Sequence, residues 1–221
     1  MKTLNTYINE WKLNDISQVD VEKIVYKKFP ADRFELSNII HERLEDNPQK
    51  PYLLDINTSK ITNFDGIFAG AGSAFCLDGC DIGDIEELDL HTWNVSHAQS
   101  LQCVFHKCYN LKSVNLSGWN TRNVYNINGM FEECASLEYL DLSHFDTRNV
   151  KIMKLVFEGC NHLKTLNLSK WNTSSVYTIK KMFWGCENLK EIKGIEHWNI
   201  AANCERNDAF WDCPVKKPHW F

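Results

Sequence analysis

No stretch of this 221-residue sequence gathers enough Lys and Arg to neutralise a track of phosphates, and the formal net charge is −5. Nucleic-acid binding therefore has no electrostatic footprint. Long apolar runs are missing too: the longest charge-free one, Gly66 to Leu77, falls far short of the ~20 residues a membrane-spanning helix needs. At the N-terminus, MKTLNTYINEWKLND reaches Glu10 and Lys12 before any run of secretory length has formed, so it reads as neither signal peptide nor anchor. The expected location is cytoplasmic or virion-associated. Catalytic signatures are equally scarce. None of the eight histidines stands in a pattern such as H-E-x-x-H, and no nucleophile, base and orienting group are marked out together. An enzyme is not expected. GAGSAF at Gly70 to Phe75 lacks the third glycine and the strand-to-helix setting of a dinucleotide turn, so no cofactor is expected either.

What the sequence does have is the profile of a folded domain, with 43% hydrophobic and 24% charged residues. It also has nine cysteines, an odd number, five of which recur at a fixed interval. They read as reduced thiols rather than a disulfide framework. The interval is the dominant signal. Phe105, Phe131, Phe157 and Phe183 stand 26 residues apart, with Phe210 one residue late. Cys108, Cys134, Cys160, Cys186 and Cys213 each follow three residues behind, and Trp93, Trp119, Phe145, Trp171 and Trp198 keep the same beat. A one-residue insertion therefore lies between Ile192 and Trp198.

Between each Cys and the next aromatic runs L-x-x-L-x-L: Leu111, Val114, Leu116; Leu137, Leu140, Leu142; Leu163, Leu166, Leu168; Leu189, Ile192, Ile195. That pattern is the strand signature of a leucine-rich repeat, and alternation sets Val114 and Leu116 against Asn115 and Ser117. After the aromatic, Val124, Ile127, Met130, Phe131 and Cys134 recur at three and four, which predicts a short helix. Asn120 and Thr121, or Asp146 and Thr147, are its expected N-caps. No single copy can bury its own apolar side, so the expected fold is an α/β repeat solenoid, a right-handed stack of parallel strands and short helices.

Residues 1–52 do not share the period; Asp20–Lys28 and Phe34–Leu44 predict amphipathic helices that cap the stack. Residues 53–221 form the solenoid, with an irregular first rung at 53–87, regular repeats over 88–199 and a C-terminal cap at 200–221. In the first rung, Thr58, Ile61, Phe64, Ile67 and Phe68 match Thr173, Val176, Ile179, Met182 and Phe183, before an irregular loop over Gly70–Gly83. Cys76 and Cys80, with Cys103 or His106, raise the question of zinc, but no second C-x2-C pair completes a set. No metal is expected, and packing rather than redox chemistry accounts for the cysteine ladder.

LNLSKWNTSSVYTIKKMFWGCENL, Leu166 to Leu189, resembles the unit LdLSxWdTSxVtxMxxMFxxCxxL of bacterial surface-protein leucine-rich repeats of BspA type, also found in mycoplasma lipoproteins. The resemblance covers about residues 53–213. It implies binding: such proteins are commonly adhesins or interaction scaffolds. The expectation is a non-enzymatic module for a protein partner, acting as a monomer or as a subunit of a larger assembly. A structural component of a particle such as a phage virion, or an adhesin exported without a visible signal, is the alternative. Candidate binding residues lie on the outward side of the strands, at Asp89, His91, Asn115, Ser117, Asp141, Ser143, Asn167 and Ser169. Arg122 and Arg148 join them as variable charges, beside the variable turn positions Gly118, His144, Lys170 and Glu196.

Overall fold

A computed structural model describes residues 26–74 and 84–221. Among these residues one α-helix, α1 (Arg33–Asp46), precedes five three-residue strands: β1 (Glu87–Asp89), β2 (Ser113–Asn115), β3 (Tyr139–Asp141), β4 (Thr165–Asn167) and β5 (Glu191–Lys193). Among the described residues all strand pairing is parallel, and its register is the sequence period. Leu140 lies opposite Leu166, and Leu166 opposite Ile192; Leu88 lies opposite Val114. The strands form two small sheets, β1-β2 and β3-β4-β5.

The helix expected after each aromatic is not there. Among the described residues, α1 is the one α-helix, and the stretch from Val124 to Cys134 is instead a chain of tight turns. The N–H groups of Ile127, Gly129, Phe131 and Glu133 donate to the carbonyls of Ile152, Lys154, Val156 and Glu158 in the next copy, at 2.7 to 3.1 Å. Those of Met130, Glu132 and Cys134 donate back three residues, at 3.1 to 3.2 Å. Every N–H from Ile127 to Cys134 apart from Asn128 thus has a backbone acceptor, and Asn128 N–H goes to the Asn126 side chain at 3.0 Å. An α-helix would send each N–H four residues back and leave none for a neighbour. The turns repeat in every copy, linked by bridges at Ser100, Asn126, Ile152, Thr178 and Glu205. They require left-handed backbone at two positions per copy, filled by Cys103 and Lys107, Gly129 and Glu133, Leu155 and Gly159, Lys181 and Gly185, then Asp208 and Asp212.

Between strand ladder and turn ladder lies one core. Phe68, Phe105, Phe131, Phe157, Phe183 and Phe210 stack ring on ring, neighbouring centroids 5.1 to 5.9 Å apart. Four of the five repeat cysteines serve this stack in a second way. The thiols of Cys108, Cys134, Cys160 and Cys186 donate to the carbonyls of Phe68, Phe105, Phe131 and Phe157 in the preceding copy, at 3.0 to 3.1 Å. A buried S–H that packs like a small apolar group and still donates explains why this position is cysteine. Thr121 and Thr147 work similarly: each hydroxyl donates to the carbonyl of the next copy's Asp146 or Asn172 and accepts that residue's N–H. These threonines were expected as helix caps and are instead ties between copies.

The ends are closed by different means. α1 begins at Asp32, whose carboxylate accepts from Phe34 N and Glu35 N, and it contributes Leu36, Ile39 and Ile40 to the core. Arg43 Nη2 reaches the buried Asp55 at 3.0 Å. Of the helix expected over Asp20–Lys28, residues 20–25 lie outside the described residues, and Lys28 makes a parallel bridge to Ile56 rather than a helical turn. The irregular loop expected at Gly70–Gly83 is described only as far as residue 74, but its length shows. Trp93 bonds back across 40 residues, where Trp119 and Trp171 each span 29. At the other end Trp220 stacks on Trp198 at 5.7 Å and Phe221 meets Phe210 edge-on at 4.9 Å. The one-residue insertion appears as Gly194, at φ 88, leading a single 3-10 turn at Ile195–His197. A Cβ on Gly194 would stand 2.3 Å from Ser169 Cα, so no other residue fits there.

Candidate functional site

The sequence-predicted binding residues on the strand side turn out to be engaged in holding their own turns. Asp89, Asn115, Asp141 and Asn167 each accept, on a side-chain oxygen, the N–H two residues on, that of His91, Ser117, Ser143 and Ser169, at 2.8 to 3.3 Å. This is the Asx turn, in which a short polar side chain stands in for a backbone acceptor. Asn167 Nδ2 also donates to Asp141 Oδ2 in the preceding copy. Several hydrogen bonds to Asp141, led by that from Ser143, hold its carboxyl below the usual range although burial works against them. Asp89 bonds His91 Nδ1 at 2.7 Å, and that bond raises the imidazole's pKa. Arg122 and Arg148 are exposed, and Arg148 Nε pairs with Asp146 at 2.9 Å. Their backbones are used as well: Asn149 and Ser175 side chains donate to the carbonyls of Arg122 and Arg148.

A second set of residues lies on the turn ladder, where the repeat pattern by itself marks no site. One residue after each core Phe the chain turns outward, which places His106, Glu132, Glu158, Trp184 and Trp211 in one column, the first four half-buried and the last 64% exposed. The period that fixes the inside aligns these side chains too, yet their chemistry shifts along the column, from His through two Glu to two Trp. The neighbouring column holds Lys107, Glu133, Gly159, Gly185 and Asp212. Its two glycines leave open a shallow depression lined by Glu133, Glu158 and Trp184, and a second follows between Lys181, Trp184, Asp208 and Trp211. Lys181 Nζ sits 3.7 Å from the centre of the Trp184 ring, a cation held by a π face.

At the other end of the column the chemistry is acidic. Donor atoms of His106, Glu132 and Glu133 all lie within 4.8 Å of one another. His106 Nδ1 is hydrogen-bonded to Ser73 Oγ at 2.9 Å, and Tyr109 donates to Glu133 Oε2 at 2.9 Å. Burial, reinforced by Glu158 and Glu133, pushes the Glu132 carboxyl up to about 7. Glu158 is raised as well, first by burial, and the two share a hydrogen bond. Burial lowers the pKa of His106, leaving it a neutral imidazole at pH 7. The arrangement concentrates carboxylates and a neutral nitrogen base at one place on the surface.

Among the described residues several thiols are held protonated by burial. Burial drives Cys103 up to about 12 and the ladder cysteines Cys134, Cys160 and Cys186 well above the ordinary thiol range, and a protonated thiol is a poor nucleophile. Cys76 and Cys80 lie outside the described residues. The signal that points to the turn column is present in the sequence: Gly129, Gly159 and Gly185 interrupt the stretch expected to be helical, and a glycine in each of three successive copies argues for left-handed backbone rather than a helix interior.

Compared with known proteins, the chain matches the family model described as "Mycoplasma protein of unknown function, DUF285" twice, over residues 45–138 and 99–218. No curated protein matches it. Among the described residues no helix is long and apolar enough to cross a membrane.

Proposed function

We propose that this chain, which on those two matches belongs to the DUF285 family, is a non-enzymatic binding module: a leucine-rich-repeat-like solenoid of BspA type that engages a protein partner through its turn face. The observation that carries the reading is the contrast within one period. Inward, Phe, Cys and Leu repeat; one residue further, the column runs His106, Glu132, Glu158, Trp184 and Trp211, changing from imidazole to carboxyl to indole along its length. A frame that fixes geometry while freeing side-chain identity is how repeat proteins build extended recognition surfaces. Half-exposed tryptophans beside Lys181 and Asp208 supply the aromatic anchors and charges that dominate binding energy at interfaces. On the strand side, by contrast, the candidate carboxylates and amides are committed to Asx turns, which supports the turn ladder as the recognition face.

The test is site-specific photo-crosslinking in a lysate of the source organism, with the photoreactive residue placed at Trp211 or, for comparison, at Lys170 on the strand side. The reading expects a discrete adduct from position 211 that disappears in a Trp184→Ala background and is absent from position 170. Equal adducts from both positions would deny the turn face its role as the recognition surface, and an adduct from 170 alone would place the interface on the strand side.

A further inference from the structure

We propose that His106, Glu132 and Glu133 form a binding site for a divalent first-row transition metal, best suited to Zn²⁺. The residues come from consecutive copies and meet because of the ladder itself: Lys107 N–H bonds the Glu132 carbonyl at 2.8 Å, which sets the imidazole beside the two carboxylates. One nitrogen and two oxygens lie within 4.8 Å of one another, and rotation about the two flexible glutamate side chains closes the remaining distance to the ~2.0–2.2 Å ligand bonds of zinc.

Two of the three ligands are held from outside, as ligands at metal sites usually are. Ser73 Oγ engages His106 Nδ1, so with Nδ1 as the protonated nitrogen the lone pair of Nε2 is left for a metal. Tyr109 donates to Glu133 Oε2 and leaves its second oxygen available. The nearby ammonium does not answer the carboxylates by hydrogen bonding: Lys107 Nζ bonds the Gly72 carbonyl at 3.3 Å. Glu158, hydrogen-bonded to Glu132, adds a third carboxyl next to the pair. One imidazole with carboxylate oxygens is a borderline donor set; it suits Zn²⁺ or Mn²⁺ better than Mg²⁺ or Ca²⁺, which favour all-oxygen shells, and holds no thiolate to draw Cu(I). A bound ion would tie the copy ending at Cys108 to the next and, through Ser73, to the first rung.

The experiment is calorimetric titration of the full chain, stripped with chelator, with ZnCl2 and in parallel with MgCl2. The expected result is one equivalent of Zn²⁺ bound, no comparable Mg²⁺ binding, and at least tenfold weaker Zn²⁺ binding in both H106A and E133Q. E133Q is nearly isosteric and keeps the proposal testable if H106A fails to fold. Co²⁺ substitution should give visible d-d bands without a thiolate-to-cobalt charge-transfer band. A C76S/C80S double variant should bind Zn²⁺ as the parent does. Absence of Zn²⁺ binding, unchanged affinity in E133Q, Mg²⁺ binding as tight as Zn²⁺, a thiolate charge-transfer band, or loss of binding in C76S/C80S would each overturn the assignment.

Discussion

The two ladders of this protein are built from the same period and are not equally continuous. On the turn side, bridges run unbroken from Ser100 through Asn126, Ile152 and Thr178 to Glu205. On the strand side, pairing stops between β2 and β3. The break coincides with a change of side chains in the third copy. Trp93, Trp119 and Trp171 each send the indole N–H to a carbonyl of the preceding copy, those of Leu53, Leu90 and Leu142, at 2.9 to 3.0 Å. The equivalent of Trp in the third copy is Phe145, which has no N–H. Its neighbour His144 turns inward instead and donates from Nε2 to Leu116 O at 2.7 Å, packing edge-on against Phe145 at 5.0 Å. At the same place Leu116 N–H lacks the partner that Leu90, Leu142 and Leu168 find in Asn115, Asn167 and Lys193. The lesson is that the stack tolerates an open seam in its sheet, because register is kept by the turn ladder and by the phenylalanine column behind it.

Substitutions can break or sharpen this contrast. The largest effect should come from the shared core: Phe157→Ala removes a ring stacked on Phe131 and Phe183 and should cost about 3–5 kcal/mol in urea unfolding. A loss under ~1 kcal/mol would deny the column its role. On the turn side, Cys160→Ala deletes a buried thiol and its bond to Phe131 O. That carbonyl keeps Cys134 N–H, so the expected loss is about 1–2 kcal/mol, a hydrogen bond plus a small cavity. On the strand side His144→Ala should cost about 1 kcal/mol at pH 7.5, since Leu116 O retains the N–H of Trp119.

That last cost should depend on pH in a defined direction. Burial lowers the pKa of His144 in the folded protein, so below its ordinary value near 6.5 the unfolded chain binds more protons than the folded one. The stabilisation is complete above 6.5 and is lost as pH falls toward the folded value. The gap between parent and His144→Ala should accordingly narrow at pH 5; a gap that widened there would mean that the imidazole is charged when folded. Smallest of all, Arg148→Ala removes an exposed pair with Asp146 and should leave stability within ~0.5 kcal/mol.

Much of this architecture was legible in the sequence and some was not, for identifiable reasons. The 26-residue beat of Phe, Cys and aromatic determines which residues lie opposite one another, because identical apolar side chains can be buried together only if the copies lie in register. The turn ladder was read as a helix because three-and-four spacing reports which residues face inward, not where their N–H groups go. A run of tight turns and a helix bury Val124, Ile127, Met130, Phe131 and Cys134 equally well. The strand-side polar residues were visible as a pattern, but their use in Asx turns depends on the backbone two residues on. The acidic and aromatic column keeps no single residue type across the copies, so periodicity does not mark it; it becomes visible once the position after each Phe is read downwards.

Native-state amide hydrogen exchange, followed residue by residue, tests the central claim most directly. Gly129, Phe131 and Glu133 on the turn ladder should exchange only through global unfolding, and Leu90, Leu142 and Leu168 should be protected nearly as well. Leu116 should exchange orders of magnitude faster than those three. Protection at Leu116 equal to theirs, or fast exchange at Phe131, would contradict a stack held from the turn side across an open strand seam.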